Sequence, residues 1–227
     1  LNQGNIGSCT ANAAACMHYS VQSGTKFVPS RLYIYYNSRV LDGGDVWYDD
    51  GTTMRQTMAA IAKQGVCRET LWPYLGSNFF KRPLPACYTE GQSRRISSYA
   101  SLPLQLTQMK GALAAGFPFS LSILVYSSFE TNTVARTGVV PLPNTYVEEL
   151  LGGHAVCVIG YDDSRKAFLV RNSWGAGWGV GGNFWLPFSY ATNSNLTLEA
   201  WVLYSDRLLS SSVNVLTKST YQTKEAE

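Results

Sequence analysis

The sequence predicts an α+β protein in which a helical lobe is set against a strand-rich lobe. Three observations carry that expectation. Apolar residues recur at helical spacing through the first half and alternate at period two through the second. The apolar content of 45%, against 15% charged, can fill a core in a chain of 227 residues, the size of one large domain or of two small ones sharing a core. Ser8 opens the first expected helix, residues 9–23, which is rich in alanine and closed by Gly24. Pro29-Ser30 opens a second, to about residue 40. Thr52-Thr53 opens a third, with Met54, Met58, Ile61 and Ala62 at helical spacing and Gly65 as its stop. Ser101-Leu102-Pro103 starts a fourth, ending near Gly116. Strands are then expected over residues 120–125, 154–161, 167–172, 183–186 and 199–203. Residues 74–92 and 127–151 read as irregular connections. The domain covers 1–207, with a helical lobe over about 8–116 and a strand-rich lobe over about 117–207. Residues 208–227, rich in Ser, Thr and Lys, read as a polar tail.

Charge and apolar runs exclude several classes. The net charge is +3 with no block of Lys or Arg, which argues against a nucleic-acid partner. The longest apolar stretch, residues 117–126, is broken by Pro118, Ser120 and Ser122 and falls short of the roughly 20 residues a membrane span needs. Five cysteines are too few and too scattered for a disulfide scaffold, and no CxxC pair points to a structural zinc site. No metal or other cofactor is called for. The chain opens at Leu1-Asn2-Gln3 without a leader and reads as a processed or trimmed piece, so the compartment stays open, with a secreted or periplasmic setting favoured.

Gly7-Ser8-Cys9 places a thiol in the first turn of a helix, where free N–H groups and the helix dipole favour a thiolate. A small buried hydrophobe fits Cys9 equally on local grounds, and it fits Cys16 and Cys157 well. A nucleophilic thiol needs a base. His18 cannot serve Cys9, because nine residues on one helix put the two on opposite faces, about 13 Å apart along the axis. That leaves His154, the only other histidine. If Tyr161 pairs with Lys166 across the turn that follows, His154 lies opposite Ser173 with Asn172 one place off. Asn172 is then a candidate to orient the imidazole, or simply a loop residue before Trp174-Gly175.

Gln3-Gly4-Asn5-Ile6-Gly7-Ser8-Cys9, Gly153-His154-Ala155-Val156 and Asn172-Ser173-Trp174-Gly175 with Trp178-Gly179 resemble, in order and spacing, the signature blocks of papain-family cysteine proteases. The resemblance runs over about residues 1–204 and includes Gln64-Gly65-Val66 and Trp72-Pro73-Tyr74. It implies a two-lobe papain-like fold, the strand-rich lobe barrel-like and the active cleft between the lobes. It also implies that Cys9 is the nucleophile, His154 the base and later the acid, and Asn172 the orienter. Trp174 would shield the His154–Asn172 hydrogen bond, and Gln3 would join the Cys9 N–H in binding the oxyanion. A resting thiolate–imidazolium pair, an inhibitory pro-segment upstream of residue 1 and a monomer are implied as well.

Several positions depart from the family pattern. Ile6 replaces a family cysteine and its partner near residues 49–51 is missing too, so that disulfide is absent at both ends. Cys87 falls near another family disulfide position, where Cys67 is a substitute partner. Thr10 and Gly153 replace common neighbours of the nucleophile and base without touching the chemical core.

The family's substrate segment matches residues 50–54 here, so Gly51 would give backbone bonds to a peptide or protein substrate. Thr53, Met54, Gly152 and Ala155 would wall an apolar pocket, although Met54 equally fits helix-core packing. The 127–151 loop could overhang the cleft, with Glu148-Glu149 available to a free amino terminus or simply solvated. The expected function is a thiol peptidase. The competing readings are a binding or regulatory module of the same fold without turnover, and a thiol acyltransferase or isopeptidase.

Overall fold

A computed structural model describes residues 1–204, and the polar tail expected over 208–227 lies outside the described residues. In chain order the helices and strands are α1 (Cys9–Ser20), α2 (Arg31–Asp42), α3 (Met54–Gln64), α4 (Pro85–Gly91), β1 (Ser98–Ser101), α5 (Leu106–Ala114), β2 (Phe119–Tyr126), α6 (Asn132–Thr137), β3 (Leu150–Asp162), β4 (Ala167–Arg171), β5 (Asn183–Pro187), α7 (Phe188–Ala191) and β6 (Thr197–Tyr204).

The helix signals act mostly where the sequence places them. Ser30 and Thr53 each accept an N–H three residues on, from Tyr33 and Gln56, and so cap α2 and α3. Gly43 and Gly65 close those two helices. Ser8 departs from expectation. It occupies the cap position of α1 without a side-chain cap bond, its hydroxyl being engaged elsewhere. α1 also stops at Ser20, ahead of Gly24, because the Gln22 amide folds onto both backbone groups of Phe27, at 2.8 and 2.9 Å. α5 begins five residues later than expected. Leu102, before Pro103, is kept out of helical conformation and donates its N–H to Ala200 as a continuation of the β1–β6 pairing.

The strands form one antiparallel sheet in the order β1-β6-β2-β3-β4-β5. It is open, which corrects the expected barrel-like closure. β1 and β5 lie at opposite edges, and the β5 edge is covered by the segment after α6, where Trp185 exchanges bonds with Gly138 and Val140. The turn after β3 pairs Asp162 with Ala167 rather than Tyr161 with Lys166. That moves the register by two places, and a bulge at Ile159 returns one.

β3 is shared between two cores. Its alternation sends Ala155 and Cys157 into the helical cluster with Ala14, Met17 and Met58, and sends Val156 and Val158 into the sheet cluster with Phe119, Phe168 and Phe184. Each fully buried Phe contributes about 1.5–3 kcal/mol of transfer free energy. α1 is buried almost all round, and its alanines let β3 and two helices approach it closely. The N-terminus of α1 is thereby set against the start of β3.

Candidate active site

Cys9 is the first residue of α1 and is half-buried. Its sulfur meets three backbone N–H groups, those of Ala155, Thr10 and Cys9 itself, all of which favour the thiolate. Burial is the larger effect and pushes the thiol's pKa up. The Ala155 contact places the sulfur beside the residue that follows His154.

His154 is buried, and its Nε2 lies 2.8 Å from Asn172 Oδ1. The same oxygen accepts the Ser173 N–H at 2.8 Å, so it is fixed as an acceptor. Nε2 must therefore carry a proton, which leaves Nδ1 as the basic nitrogen of the neutral ring. Burial lowers the pKa of His154 and the Asn172 bond raises it, burial being the larger effect. Burial alone thus favours a neutral Cys9 and a neutral His154. The expected ion pair depends on the attraction between the two charges, which exists only when both form. Trp174 stacks on the imidazole with centroids 5.0 Å apart, and Trp178 and Phe129 pack edge-on against Trp174. His18, by contrast, sits buried in the last turn of α1 beside Phe27 and Gln22, and burial lowers its pKa to about 4.

A chain start is ordinarily loose. This one is tied across the fold: Gln3 donates its N–H to Ser173 at 2.7 Å, Gly175 donates to Leu1 at 3.0 Å, and Asn2 bridges to Trp174. The Gln3 amide donates to the Ile6 carbonyl at 3.0 Å and accepts from the Ser173 hydroxyl, which leaves one amide N–H uncommitted.

A polar network that the sequence analysis did not single out holds this loop. Asn12 donates to the Ser8 hydroxyl, Ser8 to the Tyr74 hydroxyl at 2.7 Å, and Tyr74 to the Gln3 carbonyl at 2.9 Å. Because the Tyr74 proton is spent on that carbonyl, Ser8 must be the donor between them. The Arg31 guanidinium carbon sits 3.8 Å from the centroid of the Tyr74 ring, and the group donates to Asn12 Oδ1 and to the Asn2 carbonyl and clamps Glu69 with two bonds of 2.7 Å. Tyr74 stands inside a quoted motif, but the hydrogen-bonding partners of Arg31 lie 19 to 38 residues away and leave no local signal.

Of the five residues expected to meet substrate, Thr53 and Gly152 are exposed and Gly51 is half-exposed, whereas Met54 and Ala155 are buried in the helical core. Glu148 is occupied within its own loop, accepting the Ser128 and Asn144 N–H groups. Its pKa is lowered, first by the Ser128 side-chain hydroxyl and then by the Asn144 N–H. All five cysteines are free, with Cys67 and Cys87 in thiol–thiol contact. Among the described residues no helix is long and apolar enough to cross a membrane, and no group of three His, Cys, Asp or Glu is placed to hold a metal ion.

A thiol at a helix N-terminus, set against a strand that carries a histidine paired with an asparagine, defines the cysteine peptidases of two-lobed α+β architecture. The chain belongs to the papain family of cysteine proteases, whose family model matches residues 1–204. It is 36% identical, over 89% of its own length, to a peptidase C1-like protein of Acanthamoeba polyphaga mimivirus and spans 68% of that protein. It is 28% identical over 81% of its length to a cathepsin B-like protein of Giardia intestinalis, of which it spans 62%. The crystal structure of xylellain, a cysteine protease from Xylella fastidiosa, matches with a TM-score of 0.84 at 36% identity, covering 90% of this chain and 81% of that one.

Proposed function

We propose that the chain hydrolyses peptide bonds through an acyl-enzyme on Cys9. The observation that carries this reading is the double acceptor role of Asn172 Oδ1, which commits His154 Nε2 to donating and leaves Nδ1 free to take a proton. The Cys9 proton passes to Nδ1 as the sulfur attacks the substrate carbonyl carbon. The resulting oxyanion is met by the Cys9 N–H and the remaining Gln3 amide N–H. Nδ1–H then protonates the leaving amine and the C–N bond breaks, giving a thioester. A water molecule, its proton taken by Nδ1, attacks the thioester carbonyl; collapse returns that proton to the sulfur and releases the acid.

Trp174 covers the His154–Asn172 bond and keeps water from competing for it. An extended substrate pairs with the backbone of Gly51 and lies past Thr53 and Gly152, which face solvent. Met54 and Ala155 would form the floor of that subsite, reached only if neighbouring side chains shift. An upstream pro-segment and a monomeric enzyme remain part of this reading.

The test is hydrolysis of a fluorogenic peptide by wild type and by Cys9→Ala. Turnover is expected to fall at least about 10⁴-fold in the variant. Retained turnover would overturn the assignment.

A further inference from the structure

Two stretches that the reaction uses, residues 4–8 ahead of α1 and residues 49–53 ahead of α3, share no backbone hydrogen bond or β-bridge among the described residues. Asp49 joins them. Its Oδ2 accepts the Gly7 N–H at 2.9 Å, and its Oδ1 accepts the Tyr35 hydroxyl proton. The Tyr35 oxygen in turn accepts the Gly51 N–H at 3.1 Å. One carboxylate and one phenol thus connect a main-chain amide of the nucleophile loop to a main-chain amide of the substrate segment. Because both ends are backbone groups, the link fixes the path of the chain.

The seam is close. A Cβ at Gly7 would lie 3.3 Å from Asp49 Oδ1 and 3.5 Å from the Tyr35 hydroxyl. Gly51 has φ +75°, and a Cβ there would lie 3.7 Å from the Gly7 carbonyl. Tyr35 is a rigid post: it is fully buried on α2, and the Arg39 guanidinium packs 4.1 Å from its ring centroid. Arg39 also donates to the carbonyls of Val46 and Tyr48, at 2.8 and 2.7 Å, which brings the chain to Asp49 from the other side. Burial, followed by the bond to Asp49, pushes the Tyr35 pKa up and keeps the phenol a donor.

We propose that Asp49 is a positioning residue of the peptidase reaction, locking the substrate-pairing segment at Gly51 to the loop that presents Cys9. This rests on the roles given above to Cys9 and Gly51. A carboxylate suits the position because each of its oxygens takes one donor. An amide has only one acceptor oxygen and would turn an NH₂ toward either Gly7 or Tyr35. The link matters for a peptide that is held on Gly51 and attacked by Cys9 together. It does not matter for a small reagent that meets only the sulfur.

Asp49→Ala, Asp49→Asn and Tyr35→Phe are to be compared with wild type in two assays, turnover of a fluorogenic tripeptide and the rate of Cys9 alkylation by iodoacetamide. Asp49→Ala is expected to lower kcat/KM about 10- to 100-fold, chiefly in kcat, with alkylation changed less than about threefold. Asp49→Asn and Tyr35→Phe should lose less in the same direction, and the Asp49→Ala/Tyr35→Phe double variant should fall no further than Asp49→Ala. Tyr35→Phe keeps the core volume, so the comparison stands even where an Asp49 variant fails to fold. Unchanged tripeptide turnover, or turnover and alkylation falling in parallel, would overturn the proposal. Cys9→Ala in the turnover assay tests the catalytic reading separately: turnover retained there removes that reading, whereas an inactive Cys9→Ala beside unaffected Asp49 and Tyr35 variants removes only this inference.

Discussion

Around Cys9 the protein is polar. Asn12, Ser8, Tyr74 and Gln3 pass hydrogen bonds along the loop, and Arg31 and Glu69 anchor them from behind. Around His154 it is aromatic, with Trp174, Trp178, Phe129 and Phe184 packed ring against ring and, among the described residues, one side-chain bond, to Asn172. Under the proposed reaction, the contrast follows from what each group must do. A sulfur that has to become an anion needs donors held in place, and a network of hydrogen bonds holds the loop that carries them. An imidazole that has to keep one tautomer needs one strong bond and little water, and aromatic rings supply the dry shell.

The largest expected effect lies on the polar side. Arg31→Met leaves the Glu69 carboxylate and the Asn12 oxygen without their partner, in a pair whose side chains are only 8% and 22% exposed. Urea unfolding should show a loss of about 2–4 kcal/mol, reduced from the fully buried case because Glu69 reaches solvent. A loss below about 1 kcal/mol would mean that the network does not carry the loop. The aromatic side should respond less in stability and more in rate. Trp174→Ala opens the His154–Asn172 bond to water, and kcat/KM should fall about tenfold while stability drops by about 1–2 kcal/mol, since Trp174 is only half-buried. An unchanged kcat/KM would remove the shielding role.

The same contrast explains what the sequence could disclose. α2 and α3 were legible because their caps and stops are local: Ser30, Thr53 and Gly65 act on backbone within four residues. β3 was legible because one run of residues feeds two cores and alternates strictly between them. β1, four residues long, and α4, seven, are too short to show a period. The pairing of β3 with β4 was misplaced because a turn and a bulge both shift register without changing composition. Cys9, His154 and Asn172 could be singled out because each sits in a compact block. Arg31 and Asp49 could not, because their partners are joined only by the tertiary fold.

The pairing of Cys9 with His154 can be measured as the pH dependence of iodoacetamide alkylation in wild type and in His154→Ala. Burial raises the Cys9 pKa, so without an imidazolium the thiolate appears only at high pH. Gaining a proton on His154 offsets that, so wild type should become reactive at a pH lower by about one unit or more than the variant. Superimposable profiles would show that His154 does not take the Cys9 proton.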